Sequence, residues 1–174
     1  MKMRNVLIFA IVCMTTTLTA LADFTVPSEA QMQAAAGDPA MLDGLLKGAS
    51  AQEAANVVKV VIARVAAMHL SAAVSGTRLT QIMSTTLTVM PAASHVAFAE
   101  ILGRTMGADV AFQGQPEVVA ATQAALVTAG GTTSGSTIAL SFSTAFTTAS
   151  AAPGNPQGSD RNTPQVGNLY RDQN

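Results

Sequence analysis

The clearest pattern of apolar and polar positions lies between residues 50 and 68 and predicts an amphipathic α-helix. Apolar residues recur there at the three- and four-residue spacing of one helix face, while polar and small residues take the opposite face. Ser50 and Glu53 have the spacing of a capping box, which favours a helix start at this point. The apolar positions are Ala54, Val57, Val58, Val61, Ile62, Val65 and Met68.

Similar signals bring the total to five or six helices. Each of the others begins at a Ser or Asp that can cap the first turn, or at a Pro that suits the first helical position. Ser28 and Gln31 form a second capping-box pair, and Glu100 with Arg104 has the spacing of a surface ion pair. These helices are predicted over residues 28–37, 39–47, 71–89, 91–106 and 117–129. Their inward-facing residues include Leu79, Ile82, Met83, Leu87, Met90, Phe98, Ile101, Leu102 and Thr105.

The pattern changes after the Gly130-Gly131 pair, which we interpret as the end of the last helix. Ile138, Leu140 and Phe142 alternate with smaller or polar residues, which is the period of a half-buried β-strand. A single strand is not stable alone. The segment therefore docks on the helices, pairs with another chain, or is helical after all.

Together these elements predict a mainly α fold. It is a bundle of about five to six short-to-medium helices, with one strand-like segment near 136–148 and a disordered C-terminal tail. The tail is rich in Pro, Gly, Asn and Gln, which do not support a packed core. The predicted divisions are a signal peptide (1–22), a helical domain (23–131), a Ser/Thr-rich strand-like or docking segment (132–149) and the tail (150–174).

The N-terminal residues have the organisation of a secretory signal peptide. A basic start is followed by the apolar run VLIFAIVCM at residues 6–14 and by an Ala-Leu-Ala ending, which predicts cleavage before Asp23. An uncleaved anchor is the alternative, but residues 6–22 are short for a span of roughly 20 apolar residues. We therefore expect an exported protein, periplasmic or extracellular, of a bacterial envelope.

Cleavage changes the composition of the remaining chain. It removes Cys13, the only cysteine, so disulfides and thiolate chemistry are excluded from the mature protein. It also removes Lys2 and Arg4 from the nine basic residues, leaving seven against ten acidic ones and a net charge of −3. Scattered positive charges on an acidic chain do not favour nucleic-acid binding. No apolar run near 18 residues remains, so no membrane span is expected after cleavage.

Charged residues are only 11% of the chain, against a usual value of about 25%. A surface poor in charge is often one that meets a partner. The alternative is that Ala, Ser and Thr cover an ordinary surface, and the alanine-rich composition permits both interpretations.

Candidate catalytic chemistry is sparse. The two histidines, His69 and His95, could join Glu53 or Glu100 in a metal site only if distant helices converged, and their spacing matches no zinc motif. No G-x-S-x-G elbow occurs, and most carboxylates stand at helix starts or in i,i+4 pairs. We therefore assign no catalytic, cofactor-binding or metal-binding residue and expect no enzyme and no cofactor.

The leading hypothesis is an exported non-enzymatic helical module for protein–protein or envelope interaction, with a protein partner or self-association. The alternative is a carrier of a small apolar ligand within the helical bundle. A third hypothesis is a metal-dependent hydrolase that uses His69 and His95.

Overall fold

The computed structural model describes residues 24–152, and this part of the chain is almost entirely helical. It contains seven α-helices and two one-turn 3₁₀ helices, Pro39–Met41 and Ala92–Ser94. The mainly α prediction is confirmed. The predicted signal peptide and residues 153–174 of the predicted tail lie outside the described residues. The α-helices are α1 (Glu29–Gly37), α2 (Leu42–Leu45), α3 (Ala51–Ala67), α4 (Ala72–Val89), α5 (His95–Gly107), α6 (Val110–Gln113) and α7 (Pro116–Ser150).

Local capping explains where the early helices begin. The Ser28 N–H donates to Gln31 Oε1 at 2.8 Å, and the Gln31 N–H donates to Ser28 Oγ at 3.3 Å. Ser50 and Glu53 make the same reciprocal pair at the start of α3, at 2.8 and 3.3 Å. Both predicted capping boxes are therefore confirmed, because each satisfies backbone donors that a helix start leaves unpaired.

The core forms around α3, which packs against α1, α4 and α5. The predicted apolar face of α3 from Ala54 to Val65 is buried, and Met68 packs against the core at its edge. The core-facing residues of α4 and α5 meet this face, and α7 closes the bundle by packing against both α4 and α5. Aliphatic and Met side chains with three Phe rings fill the interior of the described part.

Of the alternatives left open for the segment near 136–148, the helical one is confirmed and the strand is wrong. Helix α7 is a hairpin of two helical arms, 116–130 and 132–150, which meet at Gly131. Gly131 has φ 71° and ψ −178°, a backbone conformation that is essentially restricted to glycine. The glycine pair therefore ends the first arm as predicted, but it turns the chain directly into a second helical arm.

The two arms of α7 lie antiparallel and in close contact at the turn. A Cβ atom on Gly135 would stand 2.1 Å from the carbonyl oxygen of Val127, which no structure tolerates. Farther along, Pro116 and Val119 of the first arm line the same surface depression as Phe146 of the second arm. A residue larger than glycine at position 135 would separate the arms.

Packing explains why the second arm is helical. A strand would place Ile138, Leu140 and Phe142 on one face, whereas Ile138 and Phe142 are buried and Leu140 is 64% exposed. Positions 138 and 142 are four residues apart and share one face of a helix. Hydroxyl groups also bond within the arm, since Thr148 Oγ1 donates to the Thr144 carbonyl at 2.8 Å, so its Thr residues need no strand partner.

Two glycines of α5 allow the second arm to approach unusually closely. Cβ atoms built on Gly103 and Gly107 would lie 2.2 and 2.4 Å from the carbonyl oxygens of Phe142 and Phe146. From the first contact to the second, the chain advances by four residues in both helices, so α5 and the second arm run parallel. The helix that the sequence predicts over residues 91–106 ends at Gly107, and the same residue also belongs to a backbone-to-backbone contact.

We predict that Gly103→Ala destabilises the fold by about 1–3 kcal/mol, because its methyl group must push α5 away from the second arm. Gly76→Ala is the matched control, since Gly76 is inside α4 and nothing lies within 4 Å of its Cβ position. The control should gain about 0.5–1 kcal/mol from helix propensity. Urea unfolding followed by circular dichroism measures both, and a Gly103→Ala midpoint equal to that of the parent protein contradicts the packing argument.

Candidate functional site

The most distinctive surface belongs to the α7 hairpin, because residues 118–159 contain no Asp, Glu, Lys, Arg or His. Within the described part of this stretch, the solvent-facing positions are Ala, Ser, Thr and single Val and Leu residues. We call this surface the uncharged face of α7. Its exposed members include Ala120, Ala124, Val127, Thr128, Thr133, Thr137, Leu140, Thr144, Thr147 and Thr148.

An open groove of about 720 Å³ runs between α5 and the second arm of α7, and we call it the α5–α7 groove. Leu140 is the large apolar side chain in its lining and remains 64% exposed. Small residues form most of the remaining wall, so the groove is shallow and mainly apolar. Its lining residues are Glu100, Arg104, Ala108, Leu140, Ser141, Thr144, Ala145, Thr148, Ala149 and Ala152.

Glu100 and Arg104 form the charged rim of the groove. Their side chains make the i,i+4 ion pair that the sequence predicts, at 2.5 Å, and both remain about half exposed. Exposed pairs of this kind contribute only about 0.3–0.5 kcal/mol. A ligand that offers its own charges could therefore exchange partners with this pair at little energetic cost.

A second depression of about 530 Å³ lies between the ends of the two α7 arms. Phe146 stacks near Phe142 with ring centroids 6.2 Å apart, and Phe112 closes the other side. Gln113 donates from Nε2 to the Gly107 carbonyl at 2.6 Å, so this polar side chain holds α5 in place. None of the residues that line this depression is charged.

The structure does not bring the candidate metal ligands together. His69 is exposed at the end of α3 with φ 50°, and the Nε2 atom of His95 lies 3.2 Å from the carbonyl oxygen of Met90. Glu53 belongs to its capping box and Glu100 to its ion pair. Among residues 24–152, no three His, Cys, Asp or Glu side chains have an arrangement that could hold a metal ion. The metal-dependent hydrolase therefore has no ligand set in this part of the chain.

The sequence does not predict the ion pairs between different elements, of which the pair of Lys59 and Asp109 is the first. Lys59 of α3 lies 2.7 Å from Asp109, which precedes α6 and also accepts a hydrogen bond from the Ala111 N–H at 3.1 Å. The hydrogen bond from Lys59 lowers the pKa of Asp109, and partial burial opposes this effect without reversing it. The two residues are 50 positions apart, so no local spacing could have predicted their contact.

Two other basic residues hold α1 against the bundle. Arg64 of α3 pairs with Glu29, and Arg78 of α4 donates to the Ala36 carbonyl at 2.7 Å. The Arg78 contact satisfies a carbonyl at the end of α1, where a positive charge is favourable. These cations therefore have structural roles, and beyond Glu117 in its first turn the α7 hairpin carries no charge of its own.

Comparison with protein-family models, with curated protein sequences and with solved structures finds no match to this chain. Among residues 24–152, no helix has both the length and the apolar content needed to cross a membrane.

We predict that Asp109→Asn lowers stability by less than about 1 kcal/mol at pH 7, since the pair with Lys59 is partly exposed. The lowered pKa of Asp109 in the folded state means that the pair stabilises the protein above the unfolded-state pKa of about 3.9. This contribution is lost as the pH falls through the folded-state pKa. Asparagine retains a side-chain oxygen for the Ala111 N–H, so the substitution isolates the charge.

Urea unfolding at several pH values measures this difference. The difference between the parent and Asp109→Asn proteins should shrink as the pH falls below the unfolded-state pKa of about 3.9, and it should vanish once Asp109 is protonated in the folded state. Asp43→Asn is the control, because Asp43 is exposed on α2 and has no ion pair among the described residues. A difference between parent and Asp109→Asn that does not shrink as the solution is acidified rules out the ion pair as its source.

Proposed function

We propose that the protein is an exported, non-enzymatic helical module that binds a protein partner of the bacterial envelope through the α5–α7 groove. The observation that carries this proposal is Leu140, a large apolar side chain left 64% exposed in a groove walled mainly by small residues. Export itself is proposed from the signal-peptide pattern of residues 1–22.

The uncharged face of α7 supports binding because removing an uncharged surface from water carries a small free-energy penalty. Charged residues are depleted from the cores of protein interfaces, where their desolvation penalty can exceed the interaction energy that they gain. Ala and Thr methyl groups around Leu140 provide apolar area, and Glu100 with Arg104 stands at the edge, where charge contributes to specificity. This order, an apolar centre and a polar rim, is typical of interaction sites.

The chemistry of the groove supports a binding role without catalysis. Its lining contains hydroxyl groups and one ion pair but no His or Cys that could act as a base or nucleophile. Ser141 and Thr148 donate their hydroxyl protons to carbonyl oxygens within their own helix, at 3.1 and 2.8 Å. Neither hydroxyl is directed to a general base.

Leu140→Asp tests this proposal, because it places a charge at the centre of the groove. The exported protein is crosslinked to its own envelope fraction, and the amount of each captured protein is measured by mass spectrometry. We expect a specific partner to be captured at least tenfold less by Leu140→Asp, a loss of about 1.4 kcal/mol.

Val74→Asp is the matched control, since Val74 is 45% exposed on α4 and lies outside the groove lining. This variant should capture the partner at the parent level, and circular dichroism should show both variants folded. Equal capture by the two variants, or no specific capture by the parent, refutes the proposal.

A smaller cavity gives specific support to a second function, that of a carrier for a small apolar ligand. It measures about 250 Å³ and lies where α3, α4 and the first arm of α7 meet. Apolar side chains form most of its wall, while His69 and Glu117, both exposed, also border it. The apolar lining includes Ile62, Val65, Leu79, Val118 and Ala121.

Native mass spectrometry of protein purified from its source tests the carrier function. We expect an added mass in the parent protein and its loss in Ala121→Phe, whose ring would fill the cavity. Ala124→Phe is the control, because Ala124 is exposed on the same arm and does not line this cavity. A parent protein without added mass, or an added mass that survives Ala121→Phe, excludes this cavity as the binding site.

A further inference from the structure

The α5–α7 groove extends to the point where the described chain ends. Leu140 lies near one end of its lining, and Ala149 and Ala152 lie at the other. Leu140 and Ala152 are 12 residues apart, which corresponds to about 18 Å along a helix. The chain continues beyond Ala152 as residues 153–174, so this segment starts inside the groove lining itself.

The continuing segment is long enough to return to Leu140. Residues 153–168 can span roughly 50 Å when extended, well beyond the distance along the groove. A tether of this length holds its end at an effective concentration of about 1 mM. A contact with only millimolar affinity is therefore substantially formed within one molecule.

The end of the segment carries apolar and charged side chains that complement those of the groove. Residues 153–174 contain three large apolar side chains, of which Leu169 and Tyr170 are adjacent and Val166 lies nearby. Arg171 and Asp172 follow directly, so an apolar pair is joined to one positive and one negative charge. The groove offers Leu140 together with one negative and one positive charge at its rim.

No other surface depression described above matches this pattern. The depression between the arm ends has no charged lining residue. The 250 Å³ cavity borders His69, and a further depression of about 700 Å³ lies between His69 and Pro116. Both contain Glu117 but neither Lys nor Arg, so they have no permanent cation for Asp172. The α5–α7 groove combines an exposed apolar side chain with both signs of charge.

We infer that Leu169 and Tyr170 of the same chain occupy the α5–α7 groove against Leu140, with Arg171 paired to Glu100 and Asp172 to Arg104. This goes beyond the proposed function, because it names an occupant within the chain that an envelope partner has to displace.

Tyr170 provides a direct test, because it is the only tyrosine and the chain contains no tryptophan. Its fluorescence therefore reports on the C-terminal segment alone. The probe is acrylamide quenching of protein that carries the complete C-terminal segment, compared with a free peptide of residues 160–174. We expect quenching of Tyr170 in the protein to be at least threefold weaker than in the peptide.

Leu140→Ser should raise the quenching of Tyr170 to the peptide level, whereas Val74→Ser should leave it at the parent level. A parent protein quenched like the peptide overturns the inference, and so does a Leu140→Ser protein quenched like the parent. Protection that grows between 1 and 100 µM protein also overturns it, because that dependence identifies the groove of a second copy as the site.

A charge exchange tests the proposed pairing. Glu100→Lys should weaken the protection of Tyr170, and adding Arg171→Glu to this variant should restore it by re-forming an opposite-charge pair. Failure of the double variant to recover protection overturns the assignment of Arg171 to Glu100.

Tyr170 quenching and partner capture together distinguish the inference from the proposed function. If Tyr170 is exposed while Leu140→Asp still abolishes partner capture, the groove binds a partner but not the C-terminal segment. If Tyr170 is protected and no partner is captured, the groove serves the chain's own segment only.

Discussion

The backbone contact between α5 and the second arm of α7 is the constraint on which the rest of the structure depends. Gly103 and Gly107 remove the side chains that would separate the helices, so the carbonyls of Phe142 and Phe146 pack directly against α5. This approach allows Phe142 to be buried and holds the hairpin closed against the bundle. It also sets the depth of the α5–α7 groove, because the same two helices form its walls.

The sequence predicts those parts of the fold that depend on neighbours in the chain. Both capping boxes involve residues three apart, and the buried face of α3 follows from a simple periodicity. The sequence pattern leaves strand and helix open for the second arm of α7, because Ile138 and Phe142 fit both a two-residue and a four-residue period. Only burial separates the alternatives, since Leu140, which the strand would bury between them, is exposed. Burial depends on how α5 packs, which no local pattern contains.

The candidate site was predictable only in kind. Low charge permits either a surface that meets a partner or an ordinary surface covered by Ala, Ser and Thr, and the groove exists because residues near 104 and near 144 come together in space. The pair of Lys59 and Asp109 was hidden for the same reason. The histidines are candidates in the sequence because of their side-chain chemistry, but the structure does not bring them together in a site. His95 lies next to the Met90 carbonyl, and His69 has a left-handed backbone conformation after α3.

The absence of charge on the uncharged face of α7 has a kinetic consequence. Oppositely charged surfaces attract each other over about 8–10 Å at physiological salt and thereby accelerate encounter, whereas an uncharged face must be found by diffusion alone. Association rates without steering are about 10⁵–10⁶ M⁻¹s⁻¹ and change little with ionic strength. Contacts made by this face alone would therefore change little with ionic strength, and their strength would depend on how slowly they dissociate.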